Sequence, residues 1–266
     1  MLEITSYNLP TPLATGRTAE IYPWQNDLVL KLFFDWFSLD NIEYEQRINT
    51  AVHTSGLPIP KVGDIVRVNE HYGLFYARVY GSAMWDVLQH KPWCMRRYAQ
   101  RLAELHAEMH SCSIQADLPA QRRNLEYKIR HATQLPEQLR SKVLTSLEYL
   151  PDRDRLCHGD FHPANILITS KEEVIIDWID SSIGNPLADV ARTSIIALER
   201  EDSNQFGYKI ERSLIRLFHS IYIRKYFELK PGGEDEYQRW LPIIAAARVE
   251  ENITKFQPWL ISQASM

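Results

Sequence analysis

The sequence predicts an α+β chain in two parts, a strand-rich first eighty residues and a mainly helical remainder, and three observations predict it. Short β-favouring runs separated by turn residues fill the first part. Apolar residues at helical spacing recur from about residue 95 onward. Among those helical patterns sits one polar loop, "HGDFHPAN", bracketed by apolar runs too short for helices. With 266 residues, 45% of them hydrophobic and 24% charged, the chain holds ample material for a buried core and is not a disordered composition. A formal charge of −4 supplies no global attraction for nucleic acid or an anionic membrane, so neither is expected as a partner.

Each element follows from local chemistry. "TAEIYPW" and "LVLKLFF" read as adjacent strands turned by "QND". From Asp40 to about Ser55 an apolar set of Ile42, Ile48 and Val52 suits a helix opened by Asp40, with Gly56, Pro58 and Pro60 ending it. "VGDIVRVNEHYGLFYARVYG" gives two more strands around a turn at Asn69 to Gly73. Tyr98, Leu102, Leu105 and Met109 then mark one face of a helix, and further helical patterns cover 136–150, 187–199, 209–227 and 235–255. "RLCHGD", "NILIT" and "VIIDW" suggest small strands flanking the polar loop, and "LKPGGEDE" marks a late loop. The predicted division is a strand-rich part at 1–79 and a mainly helical part at 80–266. "MLEITSYNLPTPLATG" lacks the basic start and apolar core of a secretory signal, and no eighteen apolar residues run together. The three cysteines include no CxxC pair and read as reduced structural thiols, so a cytoplasmic protein is expected.

The polar loop carries the chemistry. Asp160 and Asn165 are five apart, and Asp177 follows at the end of the apolar run "VII". Phosphoryl transfer needs a carboxylate beside the attacking hydroxyl and hard oxygen ligands for Mg²⁺ on the nucleotide phosphates. Asp160 suits the first role, Asn165 and Asp177 the second, and the interval from Asp160 to Asn165 is that of the D-x-x-x-x-N of protein kinases. The same chemistry asks for a strand lysine to hold phosphates and a helix glutamate to orient it. Lys31, inside "LVLKLFF", and Glu45, in the following helix, fill these places.

The chain resembles the aminoglycoside phosphotransferase and choline kinase-like family through "HGDFHPANIL", "VIIDW" and "GNPLADVAR", preceded in the usual order by "LVLKLF", "YEQRINTAVHTSGLPIPKV" and "LAELHAEMH". The likeness runs from about Gly16 to Arg192. It implies a two-lobed protein-kinase-like fold, ATP with Mg²⁺, Asp160 as catalytic base, Asn165 and Asp177 as metal ligands, and Lys31 paired with Glu45 in preference to Glu43. The phosphate loop "LATGRTAEIY" has one glycine where protein kinases use three, leaving the backbone of Gly16, Arg17 and Thr18 to cover the phosphates. Adenine would be read by backbone groups of Tyr76, Ala77 and Arg78. Trp178 and Asp180 stand where a DFG segment has Phe and Gly, which disfavours a flipping activation switch.

Other residues admit plainer roles. His158 is expected to hydrogen-bond backbone, Asp189 to anchor the loop from the start of the 187–199 helix, and His106 and His110 to be packing and surface residues. The side chains of Tyr76, Tyr80 and Trp85 are expected to fill core, and Glu250 and Glu251 suit a solvated helix face as well as a cationic substrate. The expectation is a small-molecule kinase whose acceptor is an aminoglycoside-like antibiotic, an amino alcohol or a sugar. The competing accounts are a catalytically silent nucleotide-binding regulator of the same fold and a metal-dependent hydrolase. The ten glycines form no G-x-G and no Gly-Lys pair, against a Rossmann or P-loop protein.

Overall fold

The computed structural model describes residues 2–4, 9–114, 117–202 and 209–266, with side chains described over 4, 9–114, 117–199 and 212–266. The first part of the chain holds β1 (Leu2–Ile4), β2 (Ala14–Thr15), β3 (Ala19–Trp24), β4 (Leu28–Phe33), α1 (Leu39–His53), β5 (Val62–Val68), β6 (His71–Ala77) and β7 (Ser82–Ala83). There follow α2 (Met84–His90), α3 (Met95–Met109), α4 (Gln121–His131), α5 (Glu137–Glu148), β8 (Arg155–Cys157), β9 (Ile166–Ile168), β10 (Glu173–Ile175) and β11 (Ser182–Gly184). The chain ends in α6 (Pro186–Asp202), α7 (Lys209–Leu229), α8 (Glu234–Val249) and α9 (Gln257–Ala264). The fold is α+β and kinase-like, with an antiparallel-rich sheet in the small lobe and a helical large lobe.

Two compact units divide the chain, residues 1–83 with 166–179, and residues 84–165 with 180–266. In the first, six strands form a sheet of order β1-β5-β6-β4-β3-β2, antiparallel except for the β1–β5 pair. Side chains alternate across a strand, so Leu30 and Leu32 join Tyr22, Val66, Val68 and Phe75 on one face. Phe33 and Leu74 face the other way and pack with Ile42 of α1. Lys31, odd-numbered like Phe33, therefore falls on the face that α1 covers. Ile42, Ile48 and Val52 of α1 are wholly buried, each worth about 1.5–3 kcal/mol.

The second unit packs α3 on α7, and α6 on α7 and α8. Trp240, Tyr222, Tyr226 and Phe161 are among its largest fully buried side chains.

Several boundaries differ from the sequence reading. Ser38, not Asp40, caps α1, its Oγ accepting from Asn41 N at 3.3 Å, and Asp40 lies in the first turn where its charge suits the helix dipole. The turn after β5 closes at Asn69 and Glu70, with Gly73 inside β6, where a Cβ would press into Leu30. Helix α8 stops at Val249 and α9 follows separately. Helix α4 was not foreseen because its buried residues are only Gln121, Leu125 and Ile129, too few for an apolar period to show.

Candidate active site

In the first unit, period-2 alternation on β4 and the turn of α1 bring Lys31 and Glu45 together, with Lys31 Nζ donating to Glu45 Oε1 at 2.7 Å. Lys31 Nζ also lies 3.4 Å from Asp177 Oδ1. The Tyr76 hydroxyl donates to the same Glu45 oxygen at 2.6 Å, so this tyrosine steadies the glutamate as well as packing. Burial alone would lower the Lys31 pKa, but the Asp177 and Glu45 carboxylates outweigh it and raise it, keeping the ammonium charged. Burial first, then the Glu45 charge and hydrogen bond, push the Tyr76 hydroxyl well up.

Asp177 is reached from β10, whose Ile175 N–H donates to Pro58 O at 2.9 Å. Its backbone is left-handed at φ 65°, a strained conformation that Asp tolerates better than most residues. The next residue, Trp178, is fully buried and donates from Nε1 to Ile175 O at 3.0 Å, which pins the segment. The Asp177 side chain remains 43% exposed, open to a ligand.

Gly16, Arg17 and Thr18 form the tight connection from β2 to β3, with Gly16 N–H donating to Ala19 O at 2.8 Å. At the end of β6 the N–H groups of Ala77 and Arg78 donate to Lys61 O at 2.8 Å and Asp27 O at 2.7 Å. Those two donors are thus already used inside the unit. Tyr80 is 63% exposed and donates to Asp27 Oδ1, which corrects its expected place in the core.

In the second unit, β8 leads into the polar loop, and a 3₁₀ turn at Pro163–Asn165 closes it. Gly159 has φ 80° and a Cβ there would fall against the Asp180 carbonyl oxygen, so glycine is required. His158 is buried and accepts at Nδ1 from Asp160 N at 3.2 Å, the loop-holding role expected of it. The Asn165 amide donates from Nδ2 to Asp160 O at 2.9 Å and to Asp160 Oδ2 at 3.2 Å. His162 Nε2 lies 3.3 Å from Asp160 Oδ2, and Arg192 approaches Oδ1 at 4.0 Å. Burial would raise the Asp160 pKa; the His162 contact, with Arg192 and His158, holds it far below the usual carboxylate range. The carboxylate is ionised, yet 28% of the side chain is exposed.

One face of α6 fastens this loop. Asp189, Arg192 and Thr193, at helical spacing, reach four of its backbone groups. Asp189 accepts from His158 N at 2.7 Å and Gly159 N at 2.9 Å. Arg192 donates to Gly159 O and Thr193 to Phe161 O. Asp189 is the anchor the sequence suggested. Behind it lie His106 and His110, one turn apart on α3, with Nε2 atoms 3.2 and 3.3 Å from Asp189 Oδ2 and Nδ1 atoms on the hydroxyls of Tyr222 and Tyr226. Both histidines are buried, correcting the expected surface placement. Desolvation and mutual repulsion push His106 down to about 3, and desolvation lowers His110 despite Asp189. Neutral rings that donate to Asp189 and accept from tyrosine satisfy every nitrogen, so the group reads as a hydrogen-bond network. Only the i, i+4 spacing of "HAEMH" hinted at it.

Glu251 is not a solvated face either. It pairs with Arg192 at 2.7 Å and Arg248 at 3.0 Å, and these charges draw its pKa down to about 2 against the opposing effect of burial. Arg192 is thereby held in place for the loop.

A sequence model of the phosphotransferase enzyme family matches residues 12–221. The chain belongs to the phosphotransferase enzyme family. As a member it is a small-molecule phosphotransferase. Among solved structures, a thermostable mutant of aminoglycoside phosphotransferase APH(4)-Ia, in ternary complex with ADP and hygromycin B, has a TM-score of 0.66 at 16% identity, over 97% of this chain and 92% of its own. A choline/ethanolamine kinase family protein from Mesorhizobium loti has a TM-score of 0.60 at 15% identity, over 98% and 87%. Amicoumacin kinase hAmiN, in complex with AMP-PNP and Ca²⁺, has a TM-score of 0.62 at 13% identity, over 98% and 90%. At such identities these phosphotransferases share the fold with this one. Comparison with curated proteins finds no match. No helix among the described residues is long and apolar enough to cross a membrane.

Proposed function

We propose that this phosphotransferase moves the γ-phosphoryl group of ATP, as its Mg²⁺ complex, to a hydroxyl of a small molecule, with Asp160 as the catalytic base. The observation that carries the reading is the state of Asp160: ionised, partly exposed, and set on a loop whose backbone α6 holds at four groups. A carboxylate held so far below its ordinary pKa is a weak base. Its main work is to accept a hydrogen bond from the acceptor hydroxyl and orient the oxygen lone pair toward phosphorus. It takes the proton only as the new P–O bond forms and the hydroxyl becomes acidic.

Lys31, charged and fixed by Glu45, binds phosphate oxygens; Gly16, Arg17 and Thr18 supply backbone cover, and the end of β6 at Tyr76, Ala77 and Arg78 contributes to base recognition. With the N–H groups of Ala77 and Arg78 engaged, their carbonyl groups are the recognising atoms in that stretch. The donors for Mg²⁺ fit its preference for hard oxygens: Asn165 commits its amide nitrogen to Asp160, which leaves Oδ1 for a cation, and the Asp177 carboxylate is open. When bound, Mg²⁺ neutralises charge on the phosphates. The three free cysteines accord with a reducing compartment, and we place the reaction in the cytoplasm.

The test is γ-phosphate transfer from ATP across a library of hydroxyl compounds, with wild type and Asp160→Asn side by side. Asp160→Asn should lose roughly 100-fold or more in turnover, about 3 kcal/mol of transition-state stabilisation, while keeping the circular dichroism spectrum of the folded protein. EDTA should abolish transfer. Equal labelling by both proteins would remove Asp160 from the role.

A further inference from the structure

The second unit contains a cavity of about 430 Å³, within the range of about 300–1,000 Å³ typical of small-molecule sites. Its wall is built by Trp85, Leu88, Met95, Ile196, Ile215 and Phe218, with further apolar neighbours. Among the described residues, no Asp, Glu, Lys or Arg lines it. The polar lining is small and partly committed. Thr193 donates its hydroxyl to Phe161 O at 2.8 Å, and the Tyr222 hydroxyl is bonded to His106 Nδ1 at 2.6 Å.

His162 and Pro163 of the polar loop also line the cavity, and His162 Nε2 is 3.3 Å from Asp160 Oδ2. The space therefore begins one side chain away from the carboxylate assigned to the acceptor hydroxyl. A molecule seated there would keep its apolar body against the aliphatic and aromatic wall while a hydroxyl at its edge reaches Asp160.

Charge decides which molecule this is. A polycationic aminoglycoside brings several ammonium groups, and each must be paired or left desolvated at high cost. Among the described residues, the wall offers no carboxylate to pair them. Choline brings one cation that the three aromatic rings could face, but it would fill little of the volume. We infer that the acceptor of this phosphotransferase is an uncharged alcohol with a bulky apolar body, held in the cavity bounded by Trp85, Ile196, Ile215, Phe218 and the His162 ring. This rests on the phosphoryl-transfer reading above and names its substrate class. The step is O–P bond formation at the acceptor hydroxyl with cleavage of the γ-phosphoryl bond of ATP, ADP leaving and the hydroxyl proton passing to Asp160.

The experiment compares kcat/KM for two neutral probes, 4-phenylbutan-1-ol and phenyl β-D-glucoside, with that for hygromycin B and choline. A first measurement without acceptor, the thermal shift on adding Mg²⁺-ATP, tests the nucleotide reading on its own; no shift there refutes that reading. With the shift present, the neutral probes should exceed both cations by roughly 100-fold, the discrimination expected when unpaired charge meets an apolar site. Any smaller ratio, including no transfer to the neutral pair, overturns the inference. A second measurement uses Ala197→Phe, which adds a ring at an alanine of α6 that lines the cavity, with its circular dichroism spectrum monitoring the fold. KM for the preferred neutral probe should rise at least tenfold, and an unchanged KM in the folded variant would show that the acceptor binds elsewhere.

Discussion

The two buried histidines behind Asp189 make the fold acid-sensitive in a defined window. His106 has its folded pKa at about 3, and His110 is lowered in the same direction, against an unfolded value of about 6.5. Between those limits the unfolded chain binds a proton that the folded chain refuses, so stability falls as pH falls. From pH 6 to 4.5, His106 alone removes roughly 2 kcal/mol, and His110 adds to it with the same sign. Asp189, Asp160 and Glu251 shift the other way, with folded values below the ordinary carboxylate range. Their stabilisation is complete above the unfolded pKa of about 4 and is lost only as pH drops through the folded values, below this window. Urea unfolding at pH 6 and pH 4.5 measures the loss. His106→Gln keeps a donor for Asp189 and an acceptor for Tyr222 without a titrating ring, and should be flatter across the window by about 2 kcal/mol. Parallel slopes for variant and wild type would refute the argument.

Lys31→Met strands Glu45, whose side chain is 2% exposed, and should cost about 3–5 kcal/mol in urea unfolding. Adding Glu45→Gln should recover part of that, and strict additivity would count against the pair. Gly159→Ala meets the Asp180 backbone at positive φ, whereas Gly56→Ala at φ 77° meets nothing within 4 Å. The second should cost only the backbone strain of about 1–2 kcal/mol, and the first more, with loss of turnover. Equal unfolding midpoints would contradict the packing of the loop. Arg248→Ala breaks two 2.6 Å contacts to buried Glu199 and one at 3.0 Å to Glu251. A loss of about 3–5 kcal/mol is expected by calorimetry or urea, and a change below about 1 kcal/mol would show that the cluster is not a stability element.

The strands of the first unit were legible because alternation and turn residues are local. β3, β4, β5 and β6 fall where "AEIYPW", "LVLKLF", "VGDIVRV" and "HYGLFYA" suggest. Helix α4 was not, since its contacts come from residues far along the chain and leave little apolar imprint of their own. The pairing of Lys31 with Glu45 could be named because strand parity and helix turn are fixed by the backbone. The roles of Glu251 and Arg192 could not, since an exposed carboxylate and a buried one look alike until a distant segment packs on it.

By itself the sequence determined which chemical groups are available: the spacing of Asp160, Asn165 and Asp177, a lysine on a strand and a glutamate on the next helix, with glycine at 159. Those are properties of short segments, where bond geometry and period decide. Only the tertiary structure decided that Asp189 gathers His106, His110 and two loop N–H groups, and that the space beside His162 is apolar and without described charge. Burial and pairing arise when distant segments exclude water from one another, and no local pattern records which segments those will be.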